Sequence, residues 1–151
     1  MSLAPNAKTR ARPSVRHFIL GGKVVVHQDP DGGHRAGLDA VLLAASVRPG
    51  KGAMVADLGA GVGSAVLGVA ARGPDASIIL VENDPDTLKY ARATLHDANN
   101  AEVALRTTLL PADVTARGEA REMAGLTRNL ADIVIMNPPY WTMGNVRTSP
   151  N

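Results

Sequence analysis

The sequence predicts a doubly wound α/β domain whose sheet is mostly parallel and is preceded by a short N-terminal β-hairpin. From residue 53 onward, short apolar runs alternate with segments of helical periodicity, and glycine- or proline-containing breaks separate them. Chemically loaded residues stand where the apolar runs end, at Asp57, Glu82, Asp113 and Asn137. Strands separated by helices require parallel pairing through right-handed crossovers. Ligands of such sheets sit beyond the carboxyl ends of the strands.

Residues 1–14, "MSLAPNAKTRARPS", hold prolines and charges without periodicity and are expected to form a flexible basic arm ahead of a domain over 15–151. "FILGGKVVVHQ" sets β-rich runs on either side of Gly21-Gly22, a hairpin signal because paired positive φ values suit glycine. "DPDGG" reads as a turn. From Gly37, "GLDAVLLAASV" carries Leu38, Val41, Leu42 and Ala45 at helix spacing, and "RPG" stops it. "AMVADLG" is then a short buried strand, "SAVLGVAARGP" an apolar helix closed by Gly73-Pro74, and "SIILVE" a second strand. "DPDTLKYARATLHDANN" is an amphipathic helix with Asp84 as N-cap and Pro85 just inside, where its missing N–H does no harm; Asn99 and Asn100 suit its C-terminus. "EVALRTTLL" is expected to be a third strand, "TARGEAREMAGL" a short polar helix or loop, and "ADIVIM" a fourth strand.

The 151 residues are enough for one domain with a real core. The absence of cysteine excludes disulfides, thiolate zinc sites and a cysteine nucleophile, and fits a cytoplasmic protein. No apolar run approaches the length of a membrane span, and the first residues lack a signal peptide's apolar region. His17, His27, His34 and His96 are scattered, so no metal site is expected. The net charge of +2 is unevenly placed: residues 1–35 carry six Lys or Arg against two Asp, +4, leaving −2 for the rest. A basic segment of this kind either attracts a polyanion or is simply a solvated tail.

"DLGAGVG" follows the first strand and opens a helix. Its residues Gly59, Ala60, Gly61 and Gly63 form a loop in which the glycines let the backbone turn tightly and approach a bound molecule. A dinucleotide loop of GxGxxG spacing would place its third glycine at position 64, which is Ser64. Asp57, two residues before Gly59, adds a carboxylate. Pyrophosphate has no use for a carboxylate, whereas the methionine portion of S-adenosylmethionine carries an ammonium and a sulfonium. Glu82, 19 residues after Gly63, can accept hydrogen bonds from ribose hydroxyls, or it serves to start the next helix. NAD enzymes share such an acid. Asn83 could line an adenine pocket. Asp113 could accept from an adenine amine or be an ordinary loop aspartate.

"ADIVIMNPPYW" runs an apolar strand into Asn137, Pro138, Pro139 and Tyr140. An exocyclic amine conjugated to a ring is a poor nucleophile, and acceptors that hold both its hydrogens favour a tetrahedral nitrogen. The Asn137 side-chain oxygen and the Pro138 carbonyl could be those acceptors, preorganised by the two prolines. Tyr140 offers a face for stacking and a π-system toward the developing positive charge. The alternative is a rigid turn with a core tyrosine.

Together these residues resemble the Rossmann-like S-adenosylmethionine-dependent methyltransferases that modify planar nitrogens. The resemblance covers about residues 18–141: the glycine loop, the acid after the second strand, the aspartate after the third, then NPPY. Upstream, "HQDPDGGHRAGLDAVLLAA" is similar to the corresponding segment of bacterial tRNA (valine) adenine 6-amino methyltransferases. That resemblance implies S-adenosylmethionine as cofactor and tRNA as partner, with other RNA possible. It also implies that Gly37, Leu38 and Asp39 help close over the methionine end of the cofactor, unless Asp39 caps the following helix. Related NPPY enzymes methylate the glutamine amide of release factors, guanine amines of ribosomal RNA, or DNA adenine. A non-catalytic cofactor-binding module and a nicotinamide dehydrogenase stay as further alternatives. Relatives complete a seven-stranded sheet after NPPY, whereas this chain ends 11 residues past Tyr140. It is therefore expected to be the N-terminal part of a longer protein, leaving "ADIVIM" at an edge.

Overall fold

A computed structural model describes residues 13–30 and 37–138. The expected hairpin is present: β1 (Val15–Ile19) pairs antiparallel with β2 (Val24–Gln28), Ile19 opposite Val24. Gly21 and Gly22 turn at φ +66° and +87°, and Leu20 joins them at +51°, a conformation that a branched side chain adopts at a cost. Part of the turn expected over "DPDGG" lies outside the described residues, as do residues 1–12 of the basic arm.

The main sheet has four strands in the order β5-β4-β3-β6, all pairs parallel: β3 (Met54–Leu58), β4 (Ser77–Glu82), β5 (Thr107–Pro111) and β6 (Ile133–Ile135). The predicted α/β class, with its N-terminal hairpin, is the one observed. Period-two alternation divides the strands between two cores. Val55, Ile78, Leu80 and Ile135 face one core with β2 and the helices α1 (Leu38–Ser46) and α2 (Ser64–Arg72). Ala56, Ile79 and Val81 face a smaller one with Ala112 and Leu126. Helices α1 and α2 approach closely because Gly68 has no side chain: a Cβ there would lie 2.9 Å from that of Ala44. Arg72 then donates to the Ala44 carbonyl at 2.7 Å, closing the end of α1.

Helix α3 (Pro85–His96) begins as expected, with the Asp84 side chain accepting from the Thr87 N–H. Its far end does more than terminate. Asn100 clasps β2, accepting from the Val25 N–H at 3.0 Å while its Nδ2 donates to the carbonyls of Val25 and Thr94. The Thr94 hydroxyl accepts from the His27 N–H. These two side chains satisfy the outer edge of β2 much as a neighbouring strand would.

Two expectations are corrected. The third strand does not begin at Glu102: Ala101–Ala104 form a short helix, α4, and β5 starts only at Thr107. Ala and Glu favour that turn, Val103 packs into the core, and the Thr107 hydroxyl donates back to the Val103 carbonyl. The polar segment after Asp113 forms a short helix, α5 (Gly118–Met123), one of the two forms expected. The fourth strand is three residues, not six, because its partner β3 turns away into the glycine loop beyond Leu58 and the prolines lack N–H groups. Among the described residues β6 is an edge strand, with Val134 57% exposed. No helix among the described residues is long and apolar enough to cross a membrane.

Candidate functional site

Parallel pairing brings the carboxyl ends of all four main-sheet strands to one crest, and Asp57, Glu82, Asp113 and Asn137 stand at or just beyond those ends. β3 is flanked by β4 on one side and β6 on the other. The loop after β3 therefore lies between Glu82, which ends β4, and Asn137, two residues beyond β6.

Gly59, Gly61 and Gly63 all hold positive φ, +73°, +59° and +90°. A Cβ on Gly59 or Gly61 would meet nothing within 4 Å, so their outer faces are open, whereas one on Gly63 would lie 2.6 Å from Leu80. The loop is laced to β4: the N–H groups of Gly59 and Ala60 both donate to the Val81 carbonyl at 2.9 Å. The Gly63 N–H donates to the Ala60 carbonyl, and the Gly61 N–H donates to Glu82 Oε2 at 3.0 Å. A phosphate-binding loop presents its N–H groups to the anion. Here four of them have internal acceptors, which weighs against a pyrophosphate and so against a dinucleotide.

Asp57 is 2% exposed and takes a backbone hydrogen bond from Val66 in the first turn of α2. Gly63, the N-cap of α2, has no side chain to offer. Burial pushes the Asp57 carboxyl up to about 7; the Val66 hydrogen bond opposes this, and the charge of Glu82 adds to it. A buried acid held this far above its ordinary range favours a cationic neighbour.

Glu82 serves two neighbours. Oε2 accepts from Gly61, while Oε1 accepts from the N–H groups of Asn83 and Asp84 at the entry to α3. Its ties to the glycine loop and to the helix start are thus both real. The Asn83 side chain is exposed. Asp113, also exposed, accepts from the N–H and hydroxyl of Thr115, and that local turn lowers its pKa.

The N-cap position of α1 is Gly37, and Asp39 stands in the first turn of the helix. Its Oδ2 accepts from Asn137 Nδ2 at 2.8 Å, a contact across 98 residues of sequence that no local pattern announces. Pro138 is exposed; Pro139 and Tyr140 lie outside the described residues. A cavity of about 450 Å³ opens on the face of the sheet, between Leu58, Val134, Arg121 and Arg128, and contains none of the residues singled out in the sequence. Among the described residues, no group of three or more acidic or histidine side chains could hold a metal.

A wound sheet with an acid-preceded glycine loop and an acid ending the next strand defines the S-adenosylmethionine-dependent methyltransferase class. The methyltransferase small domain family matches residues 27–149, and the chain belongs to it. Over 88 residues the chain is 38% identical to the release factor glutamine methyltransferase of Mycolicibacterium smegmatis, covering 58% of this chain and 27% of that protein. Among solved structures it is similar to a predicted O-methyltransferase from Agrobacterium tumefaciens, with 44% identity and a TM-score of 0.64 over 67% of this chain and 49% of that one. Pyrococcus horikoshii TYW2 in complex with MeSAdo aligns at 25% identity and a TM-score of 0.58, over 81% of this chain and 41% of its own. The chain thus spans about a quarter of the curated relative and about half of the Agrobacterium protein.

Proposed function

We propose that this chain binds S-adenosylmethionine along the crest of its sheet and transfers the methyl group to a planar exocyclic nitrogen, the 6-amino group of an adenine in tRNA. The observation that carries this reading is adjacency: β6, which leads into Asn137 and Pro138, pairs directly with β3, which leads into the glycine loop. When bound, the cofactor supplies an electrophilic methyl on a sulfonium. Asp57, Gly59, Ala60, Gly61 and Gly63 would hold its methionine end, the buried acid balancing positive charge. Glu82 would accept from the ribose hydroxyls, exchanging its bond to Gly61 for them, with Asn83 and Asp113 beside the adenine.

Asn137 and the Pro138 carbonyl are neutral acceptors rather than bases. They suit a nitrogen that gives up its proton after attack better than a hydroxyl that must lose it first. Tyr140 would stack on the substrate base, an interaction worth ~1–3 kcal/mol. The basic N-terminal segment, at +4 over residues 1–35, favours a polyanionic partner. A second reading, transfer to the glutamine amide of a release factor, is favoured by the Mycolicibacterium relative, because an amide nitrogen presents the same chemical problem.

The test is mass spectrometry of tRNA nucleosides from a strain lacking the gene, alongside methyl transfer by the purified protein to tRNA and to release factor. One missing methylated adenosine is expected. Intact tRNA together with a methylated release factor would transfer the assignment to the amide. Asn137→Ala is expected to lower kcat by about 10²-fold or more, the usual cost of losing one preorganised polar group. Its affinity for S-adenosylmethionine, measured by calorimetry, should stay within about threefold; a fully active variant would remove the catalytic role.

A further inference from the structure

The contact between Asp39 and Asn137 assigns Asp39 a different task from the one the sequence suggests. We infer that Asp39 is a positioning residue: it fixes which end of the Asn137 amide faces the acceptor nitrogen. The inference rests on the proposed role of Asn137 in methyl transfer.

The two ends of an asparagine amide are nearly equal in size but opposite in hydrogen-bonding sense, so packing alone cannot tell them apart. An ionised carboxylate can, because it only accepts. Asp39 Oδ2 lies 2.8 Å from Asn137 Nδ2, and turning the amide over would set oxygen against oxygen at that distance. With Nδ2 committed to Asp39, the planarity of the amide directs Oδ1 away from the carboxylate. Oxygen is the end that a substrate amine needs, since only it can accept an N–H. The wrong orientation would present a donor to a donor.

Asp39 is well mounted for this work. It stands in the first turn of α1, where a negative side chain is electrostatically favoured. That helix is pressed against α2 at Ala44 and Gly68 and tied at its far end by Arg72. Asn137, by contrast, follows a three-residue edge strand. The contact therefore links the less supported element to the more rigid one.

The test is a donor–acceptor swap in the full chain, with melting temperatures confirming that each variant folds. Asp39→Asn can donate as well as accept, so it no longer selects one orientation. It is expected to lower kcat by about 10- to 100-fold, the range for losing a hydrogen bond to a charged group, without changing S-adenosylmethionine affinity. Asn137→Asp sets two carboxylates face to face and should lose more. Combining Asp39→Asn with Asn137→Asp restores one donor and one acceptor in reversed order and still leaves a carboxylate oxygen for the amine. Its activity should exceed that of Asn137→Asp by at least about tenfold. Additive losses in the double variant would overturn the inference, as would an Asp39→Asn variant that binds cofactor weakly but turns over normally.

A readout independent of activity separates this inference from the proposed reaction. In the NMR spectrum of the wild type, one Asn137 side-chain N–H proton should be displaced downfield, and Asp39→Ala should abolish the displacement. If the wild type methylates neither tRNA nor release factor, the proposed function fails while the spectrum still decides whether Asp39 orients Asn137. An unchanged Asn137 signal in Asp39→Ala would overturn the inference whatever the activity.

Discussion

Asp57 carries a pH dependence whose sign is fixed by its burial. Its carboxyl is raised from 3.8 to about 7, so the folded state holds the proton more tightly than the unfolded chain. The stability this contributes is fully present below about pH 4 and is lost as pH rises through about 7. A cationic ligand beside Asp57 reverses the preference, because it favours the ionised form. Calorimetry should therefore show S-adenosylmethionine affinity rising up to about tenfold per pH unit below 7 and levelling above it, with Asp57→Asn flattening the profile. A flat wild-type profile would place Asp57 away from the cofactor. Glu82→Ala is expected to raise the dissociation constant for S-adenosylmethionine by about tenfold or more, equivalent to ~1.4 kcal/mol, with turnover at saturating cofactor little changed. Unaltered affinity would remove the ribose assignment. The glycine loop, Asp57 and Glu82 were legible because each lies at or just past the end of a short apolar run bounded by breaks. The pairing of Asp39 with Asn137 had no such signal, because it depends on where β6 enters the sheet. For Asp113 the local bond to Thr115 could have been read from the D-x-T spacing.

At the scale of elements, the hairpin shows how far local pattern reaches. Gly21-Gly22 announced its turn, and Asp84-Pro85 announced the start of α3, since both signals act within a few residues. How the hairpin docks was not legible: Asn99 and Asn100 suit the end of a helix, and nothing in the local pattern singles out Thr94 or Asp97. In the folded chain Asp97 receives both Nε and Nη2 of Arg16 and approaches His27 Nε2 at 2.9 Å, with its side chain 6% exposed. The His27 hydrogen bond is the largest of several interactions that lower its pKa to about 2. The stability it contributes is present above its unfolded value of 3.8 and is lost as pH falls through about 2. Asp97→Ala strands the Arg16 and His27 groups and should cost about 1–3 kcal/mol, seen as a drop in Tm on the order of 3–10 °C. An unchanged Tm would mean that Asn100 and Thr94 hold the hairpin unaided. The helix at residues 101–104 was hidden for a similar reason: Val103 is apolar enough for a strand, and its place in the core adds to the weak helical preference of its Ala and Glu neighbours.

For the whole molecule, fold class followed from alternation alone, whereas strand order came from the three-dimensional arrangement. Charge asymmetry is likewise a property of the entire chain, and it yields a prediction tied to the RNA reading. Residues 1–12 carry Lys8, Arg10 and Arg12 and no acid. Deleting them should weaken tRNA binding at low salt and reduce the slope of log affinity against log salt by roughly 2–3, about one for each phosphate that a side chain no longer neutralises. An unchanged slope would make that segment a solvated tail. The place of β3 inside the sheet also governs how the chain is made. Val55 pairs with Ile78 on one flank but with Ile133 on the other, and 133 − 55 = 78 residues separate that second pair. At a ribosomal speed of roughly 5–20 residues per second, a nascent β3 waits about 4–16 s for its later neighbour. During that interval the strand destined for the interior has one bare flank, which makes this stage of synthesis the natural moment for chaperone capture or for mispairing.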